Sequence, residues 1–199
     1  PRTRLLYISH LTSTTALILP VAEICAAARA RGICTLVDGA HAPGQLALDL
    51  TSIGADFYVG NCHKWLCAPK GSGFLHARAE HQAMLDATVI SWGYAEGTGG
   101  HSGFDAYLGQ TLFERRLQWQ GTRDISPWLA VPAAIAFQHR HDWPMVRARC
   151  HDLAAHALAV LTHRHGLHAL ASDADWAQMV AIPVPAQDPE TLRRRLLEE

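Results

Sequence analysis

Lysine is scarce in this 199-residue chain: Lys64 and Lys70 stand against fifteen arginines. Either side chain solvates a surface. A guanidinium stays protonated, however, whereas a lysine amine becomes a nucleophile once it is desolvated or placed beside another cation. Lys64 lies in the apolar stretch from Phe57 to Leu66, so its retention there points to chemistry that arginine cannot do. Charge of one sign is also lacking. The formal net charge of −1 gives no reason to expect nucleic acid or an anionic membrane surface as a partner, and the basic run Arg193 to Arg195 reads as a solvated helix face. No apolar run reaches the roughly 18 residues of a membrane span, and no leader pattern opens the sequence. Five cysteines (Cys25, Cys34, Cys62, Cys67, Cys150) form no CxxC pair. An odd, scattered set fits a reducing compartment and predicts a cytoplasmic protein. HExxH and zinc-spaced Cys/His patterns are missing too. The pairs His139/His141 and His163/His165 stand two apart, where helix side chains do not face one another, so no metal is expected.

What is present reads as an α/β protein. Apolar residues make up 49% and charged residues 18% of the chain, as in ordinary globular domains. Arg4 to Ile8 is a compact strand-like run ending in Ser9-His10. Pro20 suits the first turn of a helix, Val21, Ile24, Cys25 and Ala28 recur at helical spacing, and Gly32 supplies a stop. Ile33 to Val37 is the next run and ends in Asp38-Gly-Ala-His41; a turn near 51–54 leads to Asp56 to Val59, which ends in Asn61-Cys-His-Lys64. Continuous rather than alternating runs predict a mostly parallel sheet, buried on both faces, with flanking helices. Right-handed crossovers then bring the three strand ends to one edge, where open α/β sheets bind ligands. Ser9-His10, Asp38/His41 and His63/Lys64 are therefore expected to meet.

Further along, Ala68 to Gly73 forms a turn, Phe74-Leu75 opens another strand, and Ala87 to Ile90 is expected to add one more. Residues 93–110, with Tyr94, His101, Phe104 and Tyr107, read as a long glycine-rich loop. A helix starts near Pro127, and a long amphipathic one carries Val146, Cys150, Leu153, Ala157 and Leu161 on one stripe. Trp176 to Val184 reads as a strand, and Pro189 opens a last helix. The change at Trp143-Pro144 divides the chain into 1–143, the C-terminal portion of a large domain, and 144–199, the start of a smaller α+β C-terminal domain. Because Pro1 leads almost at once into a strand and Glu199 falls inside a helical pattern without a cap, the sequence is expected to be an internal piece of a longer enzyme.

An aspartate ending one buried strand and a lysine ending another suit pyridoxal 5′-phosphate. The lysine amine condenses with its aldehyde, and the aspartate keeps the pyridine nitrogen protonated so that the ring acts as an electron sink. His41 is placed to lie by the ring or its phenolic oxygen, and His63 by the phosphate or the ring face. His10 is a weaker candidate, since a polar residue at a strand end need not touch ligand. Cys62, Cys67 and Lys70 read as packing or turn residues.

The motifs DGAH, NCHKW and PKGSGF resemble the class V branch of the fold-type I aminotransferase superfamily. Within it, SHLTSTTALILPV and GNCHKWLCAPKG are most similar to isopenicillin N epimerase-like proteins. The resemblance runs from about Leu5 to Asp124 and implies the large domain of a fold-type I transferase. It makes Lys64 the lysine bound to the cofactor and Asp38 the partner of the pyridine nitrogen. His41 stands where many relatives carry a glutamine to the phenolic oxygen, Thr12 where desulfurase-type relatives carry an asparagine, and Asn61 where relatives place a phosphate-binding serine. Thr122, in GTRD, is similar to a threonine that reaches the phosphate from a second subunit, which implies a homodimer. Relatives also carry a phosphate loop upstream of Pro1 and a substrate-carboxylate arginine beyond Glu199.

The implied activity is at the α-carbon of an amino acid or amino-acid-like substrate. In epimerisation Lys64 moves a proton at that carbon, and a second acid, which no motif identifies, acts on the opposite face. Transamination and carbon–sulfur lysis use the same electron sink. A desulfurase needs a mobile persulfide-forming cysteine, a role for which Cys150, on a helix stripe, is poorly placed. The competing expectation is a catalytically incompetent remnant serving as a binding or dimerisation module.

Overall fold

The computed structural model describes residues 2–91, 94, 109 and 111–198. Strands β1 (Leu5–Ser9), β2 (Cys34–Asp38), β3 (Phe57–Asn61) and β4 (Gly73–Ala77) form one sheet in that order. The pairs β1/β2 and β2/β3 are parallel, and β4 returns antiparallel to β3; the short β3–β4 connection leaves no room for a crossover helix. The helices are α1 (Val21–Arg29), α2 (Leu50–Ile53), α3 (Ala79–Gln82), α4 (Leu112–Gln118), α5 (Ser126–Leu129), α6 (Val131–Arg140), α7 (Trp143–His165) and α8 (Pro189–Glu198).

Helix α1 follows its sequence pattern: Val21, Cys25 and Ala28 are its buried residues, and Gly32 takes a left-handed φ of 65° just beyond its end. Together with Val37, Ala42, Ala55 and Tyr58, Val21 and Cys25 form the main core, against which Ile8, Leu46, Leu50 and Ile53 pack. The turn expected at 51–54 is the single helical turn of α2. Asp49 caps it, accepting from Thr51 and Ser52 N–H, and Gly54 closes it in the left-handed region, both standard end devices.

Several expectations need correction. Residues 87–90 are not a strand; Val89 and Ile90 are 52% and 63% exposed and have no ladder partner among the described residues. Residues 176–184 are irregular after a 3-10 turn at Asp173–Asp175; their contact to the sheet region goes through a side chain, Gln178 N–H donating to Gln45 Oε1. On α7, Leu153 is 70% exposed and Leu158 is buried. His151 and Leu158, seven positions apart and therefore on one face, are the residues that meet the C-terminal segment, and Leu153 points away from it. Among the described residues one face of the sheet is covered more fully than the other, although Phe57 on the second face is buried too. Thr35, Val37 and Tyr58 are wholly buried beneath α1 and α2, whereas Leu5, Tyr7 and Leu75 on the other face are 52%, 60% and 42% exposed. Most of the expected 93–110 loop lies outside the described residues.

Polar joints hold the strands in register. Asp56, just before β3, is buried; its Oδ2 accepts from Thr35 N–H at 2.8 Å and Thr35 Oγ1 at 3.0 Å, and its Oδ1 lies 3.1 Å from His81 Nε2. Cys34, Asp56 and His81 bring three metal-type donor atoms within 4.8 Å of one another. The hydrogen bonds already engage both carboxylate oxygens, and the cluster sits at the sheet edge opposite Lys64.

His151 makes the second joint. Its Nδ1 lies 2.9 Å from the Ala177 carbonyl and its Nε2 3.1 Å from Asp173 Oδ2, and its ring stacks on Trp176 at 4.1 Å. Both partners are acceptors, so only the imidazolium, with two N–H groups, satisfies both. Burial opposes that charge most strongly, but the Asp173 carboxylate, the Ala177 carbonyl and Asp152 together outweigh it and raise the His151 pKa.

Two predictions follow from these joints. Because the folded His151 pKa is raised, the stability it contributes is fully present below its ordinary value of about 6.5 and is lost as pH rises through the higher folded value. Urea unfolding of the wild type and His151→Gln should therefore show a gap that narrows with rising pH; a gap constant across that range would refute the charged joint. The second concerns Gly44, which has a φ of +89° and sits where a Cβ would fall 2.1 Å from the Trp65 carbonyl oxygen. Gly44→Ala should lose at least the roughly 1–3 kcal/mol of left-handed backbone strain, read as a lowered melting temperature, and an unchanged melting temperature would count against this close approach.

Candidate active site

The C-terminal ends of the parallel strands meet at one edge because the register sets Ser9 beside Asp38 and Asp38 beside Val59. The chain turns away at once after each end. His10 N–H donates to the Asp38 carbonyl, and Gly39 N–H to the Val59 carbonyl, both at 2.8 Å. Gly39 must be glycine here, since a Cβ would lie 2.1 Å from the Tyr58 ring.

Asp38 is held from two sides. Its Oδ1 accepts from Ala40 N–H at 2.9 Å and its Oδ2 from Tyr7 OH at 2.8 Å. The hydrogen bond to Asp38, followed by its charge, raises the Tyr7 pKa. Three residues on, His41 contacts Lys64: Nε2 lies 3.0 Å from Lys64 Nζ, and Nδ1 accepts from Trp65 Nε1 at 3.4 Å. Burial first, and the neighbouring Lys64 second, lower the His41 pKa, while Asp38 opposes them. The ring is thus biased toward its neutral form.

The loops bearing His41 and Lys64 are clamped together. Gln45, 3% exposed, donates from Nε2 to the His41 carbonyl at 3.0 Å. Gly44 abuts the Trp65 carbonyl, which also accepts from Gln138 Nε2 at 2.9 Å, while Trp143 Nε1 donates to the Gly44 carbonyl at 2.8 Å. Beneath the lysine loop, Cys62 and Ala68 pack with Ala134 of α6, in keeping with a packing role for Cys62. Cys67 is exposed and takes a left-handed φ of 66°.

The remaining sequence candidates are distributed unevenly. His63 is half-buried, and its Nδ1 is buried with no hydrogen-bond partner. Asn61 ends β3 opposite Gly73. Thr12 works within its own loop, its Oγ1 accepting from Leu17 N–H at 2.8 Å and lying 2.7 Å from Thr15 Oγ1. His10 is buried, with Nδ1 2.9 Å from Tyr58 OH, and burial lowers its pKa. Thr122 is exposed in the bend between α4 and α5. Sequence reasoning missed Tyr7, Gln45 and Trp65. A usable signal existed for Tyr7, which precedes Ser9 by two and so shares a sheet face with it, and for Trp65, adjacent to Lys64.

Comparison with known proteins bears on the family and the fold. The family model for aminotransferase class-V matches residues 1–199. The isopenicillin N epimerase of Streptomyces clavuligerus is 49% identical; the match takes in 100% of this chain and 51% of that protein, so the chain spans about half its length. Among solved structures, the apo cysteine desulfurase from Thermococcus onnurineus NA1 has the same fold, with a TM-score of 0.76 at 20% identity over 98% of this chain and 48% of that one. A mutant of C-DES with glycine covalently linked to its PLP cofactor has a TM-score of 0.69 at 26% identity, over 89% of this chain and 46% of the other. With its motifs, its sheet edge and a family match along its whole length, the chain belongs to the aminotransferase class-V family.

Proposed function

We propose that this chain carries the lysine and aspartate side of a pyridoxal 5′-phosphate site in an enzyme acting at the α-carbon of an amino acid or amino-acid-like substrate, with isopenicillin N epimerase-like chemistry first in line. The observation that carries the reading is Lys64 Nζ, 3.0 Å from His41 Nε2 at the sheet edge where Asp38 ends β2. When bound, pyridoxal 5′-phosphate supplies an aldehyde for an amine and a ring that withdraws electrons from the α-carbon.

The residues fit such a group. His63 offers a buried, unpartnered Nδ1, which a phosphate or ring contact would satisfy. Asp38, steadied by Tyr7 and Ala40, would face the pyridine nitrogen. His41 would lie by the phenolic oxygen, and Asn61 would donate to the phosphate. Thr12 would shape the loop alongside, its hydroxyl being engaged by Leu17 N–H. Lys64 would hold the group through Nζ and, once released, carry a proton to and from the substrate α-carbon.

Thr122, exposed and set in the GTRD motif, suits a role at the phosphate of a second subunit, and hence a homodimer with its sites at the interface. We also propose a division into 1–143, within the cofactor-binding domain, and 144–199, opening the smaller one, and a cytoplasmic setting in which the cysteines stay reduced. The epimerase relative at 49% identity favours proton movement at the α-carbon. Transamination and carbon–sulfur lysis would use the same Lys64 and Asp38. Desulfuration ranks lower, since Cys150 is half-buried on α7.

The full-length protein should absorb at about 400–430 nm, the range of a lysine-bound cofactor, and borohydride should fix the cofactor to Lys64. Lys64→Ala should lose both signals. An unchanged chromophore in Lys64→Ala, or none in the full-length wild type, would sink the proposal and leave a binding or dimerisation module. Racemisation, amine transfer and sulfide release on a panel of amino acids then separate the reactions.

A further inference from the structure

We infer that Trp65 is a positioning residue: its indole N–H holds His41 in the Nε2–H tautomer, so that His41 turns an N–H rather than an acceptor toward the Lys64 nitrogen. In its catalytic meaning this rests on the pyridoxal reading above; as a statement about three side chains it stands on their geometry.

The indole contact sets the proton arrangement of the ring. An indole Nε1–H is only a donor, so at 3.4 Å from His41 Nδ1 it requires an unprotonated, accepting Nδ1. A neutral imidazole carries one proton, which then sits on Nε2. Nε2 lies 3.0 Å from Lys64 Nζ, and an N–H there finds an acceptor only if the lysine nitrogen keeps a lone pair. An ammonium has none; it would set N–H against N–H. Burial lowers the His41 pKa and so favours the neutral ring, and a doubly protonated ring could not accept from Trp65 in any case. Trp65 is itself fixed, because its carbonyl receives Gln138 Nε2 and abuts Gly44. Its peptide is held by the same clamp that joins the two loops.

Without the indole N–H the restriction disappears. His41 can then carry its proton on Nδ1 and accept at Nε2 from a lysine ammonium, whose nitrogen cannot attack an aldehyde until it loses a proton. Trp65 thus acts through His41, and Trp65→Phe retains the ring and its packing while removing only the donor.

The test is nitrogen NMR of the full-length, cofactor-free protein labelled with 15N-histidine, His41 being assigned by its loss in His41→Gln. The wild type should show a bare Nδ1 and a protonated Nε2, and Trp65→Phe should populate the Nδ1–H tautomer. A wild-type ring protonated on Nδ1, or a tautomer unchanged in Trp65→Phe, overturns the inference. Should Trp65→Phe fail to fold, the wild-type spectrum alone decides it. The second arm measures the rate at which Lys64 takes up added pyridoxal 5′-phosphate. Trp65→Phe should be several-fold slower at neutral pH, with the deficit closing toward alkaline pH, where any amine is freed; a deficit independent of pH, as a packing defect would give, counts against the inference. Absence of the chromophore in the wild type overturns the pyridoxal reading, while the spectrum, recorded without cofactor, still decides the tautomer.

Discussion

The parallel register of β1, β2 and β3 is the constraint on which the rest depends. Ser9 pairs with Asp38, and Asp38 with Val59, so the chain leaves the sheet at three neighbouring points along one edge. Side chains alternate between faces, so a slip of one residue would turn Asp38 to the opposite face. There it would displace Val37 from beneath α1 and lose Tyr7. The register is secured at the other end of the strands by buried Asp56, which ties β2 to β3 through Thr35. Removing one partner of such a buried joint costs more than the joint contributes, because the other is left without water or a replacement. The position of Asp38 is therefore set by contacts at the far end of the sheet.

From that edge the site is completed by loops, and loops hold a geometry only where something clamps them. Gly44 lets the His41 loop approach the Trp65 carbonyl more closely than any Cβ allows, and Trp143 and Gln138 close the clamp from helices far along the chain. Gln45 extends it: one end of its side chain fixes the His41 carbonyl and the other receives Gln178. The segment pinned by His151 and Trp176 is thus linked to the His41 loop through one buried amide. Helix α7 and the residues after it therefore buttress the site.

Much of the fold was legible before any coordinates. Continuous apolar runs marked the buried parallel strands, and α1 ran from Pro20 to just short of Gly32. Asp38, His41 and Lys64 were recognisable because each stands at or just past a strand end. The misreadings share one cause. Residues 87–90 and 176–184 have apolar content that suits a strand, but a strand is defined by the partner it pairs with, and local composition does not supply one. The stripe through Leu153 failed similarly: helical periodicity names several possible faces, and the neighbour at Trp176 chose the one bearing His151 and Leu158.

By itself the sequence determined the local conformations and the residue types at each strand end, since short-range sterics, apolar spacing and turn chemistry suffice for both. Only the tertiary structure decided which of those side chains bond to one another. That Tyr7 grips Asp38, that Trp65 and Lys64 share the His41 ring, and that Gln45 reaches a backbone N–H 133 residues away depends on distances that no spacing along the chain encodes. Hydrogen bonds are made or lost within tenths of an ångström, and those distances are set by the packing of the whole sheet edge.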